Sequence, residues 1–543
     1  MPALDKKMTG NNTHPIIAWP VLSLAALLVL WRLVDFMLDP LAINWDVSMY
    51  LQIGTMLLDG GIPYIDIVEI NPPLVWYLHA IPAGISRLLG ISLPLTFNLL
   101  VVVAAMFSSA LVYHLLKQSS DDDNWYAPAI IALVPLISLH WFGKVGVFGQ
   151  REYLFMLALL PYLILRILRY QKTEINLATT LFIGLLVATT AFTKAQYFGV
   201  LLIATELALA WRHKSIRPWV APEIIVIALF GAAYAAHFFA LPEAAWKAFF
   251  FRYVPLILGN YDAYSIDPDQ LIRLFTTKIL PPLIIAVGGT IIGWRHQSSV
   301  YRDILMLALL ISIVGAITFW LQGKGWPYHR IPTVFGAIVT IAVVISSSDK
   351  LESLCNRIAS PVSKNKNMAV GIVTVAIAIA IVGMTPKHYD ASKVYFAKVF
   401  ESYGTAGDAI LILSGSVVPG YPALVQAQRR SGSRYLISFV VPMLYSNGIA
   451  DPSSPHGYRL PPEWQKEEAL FLSELSEDIV KLKPVLILVE KGETCLACPP
   501  GFSMLDYFTG NEKLMFRVNS NYTRVEDSTP YAIFKRNQVY PPN

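Results

Sequence analysis

Apolar residues occur in this chain as long unbroken runs, and the polar residues between them gather in short clusters. A bilayer core takes roughly 17–25 mostly apolar residues per helix. Eleven runs of about that size are bounded by charge, proline or glycine: 16–38, 91–117, 125–142, 153–170, 176–193, 195–211, 219–240, 279–294, 303–321, 332–348 and 368–385. The first follows Lys6 and Lys7 as a signal sequence does, yet it is long, contains Arg32 and Asp35, and lacks a small-x-small cleavage site, so it reads as a retained anchor. The stretch 72–90, PPLVWYLHAIPAGISRLLG, opens on two prolines and carries His79, Pro82 and Arg87, which suits a helix lying in the membrane interface. Beyond residue 385 the apolar runs shrink to strand length at 409–415, 435–441, 484–490 and 531–536, with helical periodicity at 421–431 and 463–482. The expected fold is therefore an α-helical polytopic membrane protein. A bundle of about 11 transmembrane helices over 1–385, with a first external loop at 39–90, precedes a soluble extracytoplasmic α/β domain over 386–543. No internal repeat or low-complexity tract is visible.

Composition narrows the class further. Of 543 residues 55% are apolar and 15% charged, against about 25% charged in soluble chains, which excludes a soluble globule and a disordered chain. Lys+Arg 42 against Asp+Glu 37 gives only +5, too little for a nucleic-acid binder. Basic residues in short loops stay cytoplasmic. With the N-terminus inside, the cytoplasmic loops hold thirteen Lys and Arg and the opposite loops between the third and eleventh runs hold nine. An odd number of spans then places 386–543 outside the cytoplasm. Three cysteines build no framework. Cys495 and Cys498, in ETCLACPP, are two ligands short of a structural zinc site; in an oxidising compartment a local disulfide is the expected state, and a redox motif is the sharper alternative.

Charges near a membrane are costly and direct attention to function. Four groups fall on the predicted external face. In the first loop Asp46 opens an amphipathic helix whose apolar positions Met49, Leu51, Ile53, Met56 and Leu57 are expected to rest on the bilayer. It is either a base whose pKa burial can raise or an acid favoured by the helix dipole. Further along, Tyr64, Asp66, Glu69 and Asn71 precede Pro72 and Pro73, where two acids suit a metal, a sugar hydroxyl or plain solvation. GKVGVFGQRE, 143–152, places Gln150, Arg151 and Glu152 at a helix start, with Arg151 available to an anion. TKAQY, 193–197, puts Lys194 in a very tight turn. QGKGWPYHR, 322–330, sets Lys324, His329 and Arg330 beside Trp326 and Tyr328, which suits either a phosphate with its chain in lipid or an interfacial aromatic belt with snorkelling bases. Metal-hydrolase HExxH, P-loop and GxGxxG patterns are absent.

A transmembrane helix, then an acid opening a juxtamembrane helix (NWDVSMYLQIGTMLLDGG), then PY, then NPPLVWYL, resembles the GT-C superfamily of membrane glycosyltransferases. Within it the likeness is to the branch of protein O-mannosyltransferases and the aminoarabinose transferase of lipid A. It covers 16–350 in topology, with its sharp motif at 44–77. The resemblance implies an inverting transferase that takes a sugar from a polyprenyl-phosphate donor on the outer face of the cytoplasmic membrane. It implies Asp46 as the base on the acceptor hydroxyl, with Glu152 matching a second acid by position only. Lys324, His329 and Arg330, with Arg151 or Lys194, would bind the departing phosphate. The acceptor, whether glycan, lipid or protein, is not implied. Two departures stand out: Asn71 occupies the place of a Lys before the paired prolines, and Val47 follows Asp46 where many relatives carry a second acid. The latter argues against a divalent metal, and no cofactor is expected. A polysaccharide ligase or polymerase is the competing enzyme, disfavoured by the acidic first loop. A non-catalytic transporter or flippase of lipid-linked sugars would need titratable residues at mid-membrane depth.

Overall fold

Within lipid an apolar segment satisfies its own backbone only as a helix, and helix dominates the computed structural model, which describes residues 19–119, 126–143, 146–295, 297–346, 379–380, 392–418, 420–491, 497–527 and 531–537. Among these residues eight helical runs are long and apolar enough to cross a membrane. In chain order the elements begin with α1 (Trp19–Leu38), α2 (Trp45–Leu58), α3 (Leu74–Leu89), α4 (Leu93–Lys117), α5 (Tyr126–Ala132), α6 (Val134–Trp141), α7 (Arg151–Tyr170), α8 (Leu177–Ala191), α9 (Ala195–His213) and α10 (Pro222–Ala240). Then come α11 (Glu243–Ala248), α12 (Val254–Asn260), α13 (Pro268–Leu274), α14 (Leu280–Gly293), α15 (Ser299–Gln322) and α16 (Ile331–Ser346).

The run expected at 125–142 is divided into α5 and α6. Pro135, in the first turn of α6, has no N–H to carry the helical ladder across the junction. The runs expected at 176–193 and 195–211 form one helical stretch, Leu177–His213, whose 37 residues at 1.5 Å each would extend about 55 Å, well beyond a bilayer core. It reverses instead. Arg169, near the end of α7, donates to Thr180 at the start of α8 at 3.2 Å, and Arg166 donates to Glu206, in the second half of α9, at 2.7 Å. Both far ends of the stretch thus meet the same end of α7, and the break lies at Lys194, whose backbone leaves the helix (φ −150°, ψ 57°). The run at 368–385 lies outside the described residues apart from the helical 379–380.

The stretch 72–90 folds as α3, packed along α2. A Cβ at Gly54 would lie 2.5 Å from the carbonyl oxygen of His79, so only glycine permits this approach. The expectation that α2 rests on lipid is corrected: Met49, Leu51 and Ile53 are fully buried within protein. Met49 and Ile53 join a core with Trp76, Phe249, Tyr253, Tyr421 and Leu424.

That core reaches into the C-terminal region, where α17 (Ser392–Tyr403) leads into β1 (Ala409–Leu413), α18 (Gly420–Gln426), β2 (Arg430–Ser431), α19 (Val440–Tyr445), β3 (Ile449–Ala450) and β4 (Tyr458–Arg459). The chain continues through α20 (Pro462–Leu482), β5 (Leu486–Glu490), α21 (Met504–Thr509), α22 (Glu512–Asn521), β6 (Tyr522–Asp527) and β7 (Tyr531–Arg536). The sheet order is β2-β1-β5-β7-β6. β1 lies parallel to β2 and β5, and β7 antiparallel to β5 and β6. Three expected strands are present. The fourth, 435–441, is not a strand: Tyr435 makes one bridge to Val68 and the chain then enters α19. A short helix buried on all sides presents the same continuous apolar run as a buried strand, and β1 already has β2 and β5 as its neighbours. Cys498 is disulfide-bonded; Cys495 lies outside the described residues.

The α/β region is fastened to one end of the bundle. Gln426 donates to the Leu41 carbonyl at 2.9 Å, the Val68 N–H to the Arg434 carbonyl at 2.7 Å, and Arg252 bridges to Glu467 and Glu474 on α20.

Candidate functional site

Asn44 sets the first side chain in place. Its amide oxygen caps α2 by accepting the N–H groups of Asp46 (2.9 Å) and Val47 (3.2 Å), as helix N-termini require. Gln150, immediately before α7, donates to that oxygen at 2.9 Å and to Asp46 Oδ2 at 2.7 Å. The start of α2 and the start of α7 are thereby tied together, and Arg151 follows Gln150 into the same space. Arg151 Nη1 donates to Asn71 Oδ1 at 2.6 Å, and its guanidinium lies over the Tyr50 ring. Asn71 in turn donates to Glu69 Oε1 (2.6 Å) and to the Tyr50 hydroxyl (3.1 Å), while Trp76 and the Asn71 N–H donate to Glu69 Oε2.

These groups face a cavity of about 650 Å³. Asp46, Glu69, Asn71, Arg151 and Lys194 contribute its charged and amide wall. Trp45, Tyr197, Tyr261, Tyr264, Trp326 and Tyr328 contribute rings, and Gly415–Val418 with Ile437 and Phe439 close it from the α/β region. The loop 415–418 leaves the carboxyl end of β1. There β1 connects toward β2 on one side while β5 lies on the other, the kind of switch point at which α/β sheets receive ligands. Ser414 anchors it by donating to Glu490, at the end of β5 (2.8 Å).

Two electrostatic features define the wall. Burial pushes the Asp46 carboxyl up to about 6, against the lowering effects of the Gln150 hydrogen bond and of Arg151. Burial also raises Glu69, offset in part by its bonds from Asn71. Arg151 is 9% exposed and, among the described residues, forms no ion pair; its Nε has no hydrogen-bond partner. A buried guanidinium held by a neutral amide and a ring is costly without an anion, and the cavity is where an anion would reach it. Asp46 likewise meets a neutral amide and, among the described residues, no cation within ion-pair distance.

The remaining candidates are distributed differently. Lys194 lines the cavity but is paired with Glu152 Oε1 at 2.8 Å. Glu152 and His329 lie behind the wall, around a smaller void. Lys324 is turned away, donating to the Tyr261 carbonyl (2.7 Å) and Ser265 (2.9 Å), and burial lowers its pKa. Arg330 does not line the cavity. Tyr64 is buried and donates to the Asn71 carbonyl at 3.0 Å, a supporting role. Asp66 faces away, accepting the Ile62 N–H and pairing with exposed Lys481. Sequence reasoning missed Tyr50 and the Gly415–Val418 loop; a loop of small and apolar residues carries no chemical signal. The helix-start pattern of Asn44 was available. Among the described residues no group of three or more His, Cys, Asp or Glu could hold a metal ion.

No protein-family model matches this sequence, and no curated protein matches it.

Proposed function

We propose that the protein is an inverting glycosyltransferase that moves a sugar from a polyprenyl-phosphate donor to an acceptor hydroxyl on the outer face of the cytoplasmic membrane. The observation that carries this reading is the pairing, on one cavity wall, of a half-buried carboxylate with a raised pKa and a buried arginine that forms no ion pair among the described residues. Asp46 takes the acceptor proton as the oxygen attacks the anomeric carbon. The bond from that carbon to the phosphate oxygen breaks on the opposite face, and its electron pair leaves with the phosphate. A positioned carboxylate contributes about 10²–10⁴-fold to such a step, and Arg151, with Lys194 beside it, stabilises the departing charge. Arg151 meets Asn71 directly, which supports the reading: the transferases that the chain resembles carry a Lys at that position, and on this proposal Arg151 brings the cation from the start of α7 instead. The uncharged loop 415–418 offers the acceptor a surface opposite the charged wall.

The test is cleavage of a radiolabelled polyprenyl-phosphate sugar by the purified full-length protein with membrane extract as acceptor source. Wild type releases free polyprenyl phosphate, and Asp46→Asn, folded and membrane-inserted, does not. Full activity in Asp46→Asn overturns the assignment of the base. Transfer of the intact donor between leaflets without cleavage overturns the enzyme reading in favour of a transporter.

A further inference from the structure

Behind the charged wall, a void of about 20 Å³ is lined by Glu152, Lys194, Thr318, Gln322 and His329 together with apolar side chains. Three polar atoms of these residues are buried without a hydrogen-bond partner among the described residues: Glu152 Oε2 and both ring nitrogens of His329. Both residues are at least nine-tenths buried. Leaving such groups unpaired costs about 1–3 kcal/mol each. A void of roughly 10–15 Å³ or more with two to four polar neighbours accommodates one water, and this one meets both conditions.

We infer that the void is an internal hydration site holding one ordered water, and that Glu152, His329 and this water together position the Lys194 ammonium at the edge of the main cavity. Lys194 borders both spaces. Its Nζ donates to Glu152 Oε1 at 2.8 Å and Gln322 Oε1 at 3.3 Å. The water donates one hydrogen to Glu152 Oε2 and the other to the unprotonated ring nitrogen of His329. Both carboxylate oxygens of Glu152 then have a partner, which fixes its side chain and, through the 2.8 Å bond to Oε1, the position of the Lys194 Nζ. The other charged or titratable groups around Lys194 are Arg151 on α7, Tyr197 on its own hairpin and Tyr328 in the turn before α16, with Asp46 across the cavity. Glu152 is thus a positioning residue; it does not line the main cavity. The inference stands whatever reaction the main cavity performs.

Its test is the pH profile of Lys194 modification in the full-length protein, read by mass spectrometry after brief reductive methylation with isotope-labelled formaldehyde. Glu152→Gln is expected to lower the midpoint of Lys194 by at least about one unit. His329→Phe, which fills the void with carbon, lowers it by a smaller amount, and His329→Gln, which keeps a hydrogen-bonding partner, leaves it near wild type. Identical profiles for His329→Phe and wild type overturn the inference, as does a midpoint in Glu152→Gln that does not move. Because a variant can fail to fold, an experimental structure of the wild type fine enough to show ordered waters gives a second reading. Density for one water between Glu152 and His329 supports the site, and side chains closed over the void overturn it.

Discussion

Arg151 and Arg166 stand near opposite ends of one helix, both within the protein, and their surroundings differ in a single respect. Arg166 is fully buried, and each of its three nitrogens has a partner: Glu206 takes two of them, Glu223 the third, and the Pro218 carbonyl adds another bond. Tyr162 donates to Glu206 as well. There the charges close on one another. Arg151 has Asn71 and the face of Tyr50 in place of carboxylates, and beside it lies a cavity of about 650 Å³. A buried charge becomes informative when its own protein does not neutralise it. The Arg166 cluster braces the bundle, whereas Arg151 and Asp46 are held apart by neutral amides and left for something that enters.

This contrast can be broken at either end. The largest effect is expected from Asp46→Asn, which should cost about 10²–10⁴-fold in donor cleavage with no loss of melting temperature. Wild-type cleavage should fall as pH drops through about 6, where Asp46 becomes protonated. The sign for stability is opposite. A carboxyl raised in the folded state loses stability as pH rises from its unfolded value of about 4 toward 6, so wild type should weaken relative to Asp46→Asn across that window. Denaturation at several pH values measures it, and parallel curves for the two proteins would remove the burial argument.

At the other end, Arg166→Met leaves Glu206 without its cation and Glu223 with Arg169 alone, at 3.4 Å, and should destabilise the protein by about 3–5 kcal/mol. Activity per folded molecule should be unchanged; a selective loss of cleavage would erase the distinction between brace and site. Arg151→Lys keeps the charge but removes the planar fork. It should weaken donor binding by about 1.5–3 kcal/mol, roughly a 10- to 150-fold rise in KM, with little change in thermal melting. The smallest effect is expected from Arg252→Ala, which cuts the link from the chain after α11 to Glu467 and Glu474 on α20. About 1–2 kcal/mol of docking stability should be lost, seen as faster proteolysis of the α/β region. A loss of cleavage larger than that would make the closure of 415–418 over the cavity part of the catalytic cycle.

Long apolar runs were legible because a helix meets its backbone needs within its own segment, so no partner has to be known. Asp46 was legible for a related reason: the cap from Asn44 and the acid in the first turn are local. The run at 435–441 was not, since burial on every side erases the period that separates strand from helix. Glu152, His329 and Arg330 were grouped with the site by their place in the chain, yet only rotation about α7 and about the turn before α16 settles which side chains reach the cavity. On α7 nearly every residue is buried, so no apolar stripe marks the inward face.

By itself the sequence determined that the chain is a membrane protein of many helices with a C-terminal α/β region, and that an acid opens the first amphipathic helix. Tertiary structure alone decided that this acid shares a cavity with Arg151, that Lys194 is already paired, and that the loop after β1 forms the far wall. The reason is physical. Apolar runs and helix caps act over a few neighbouring residues, whereas the partner of a buried charge is chosen by packing between segments far apart in the chain.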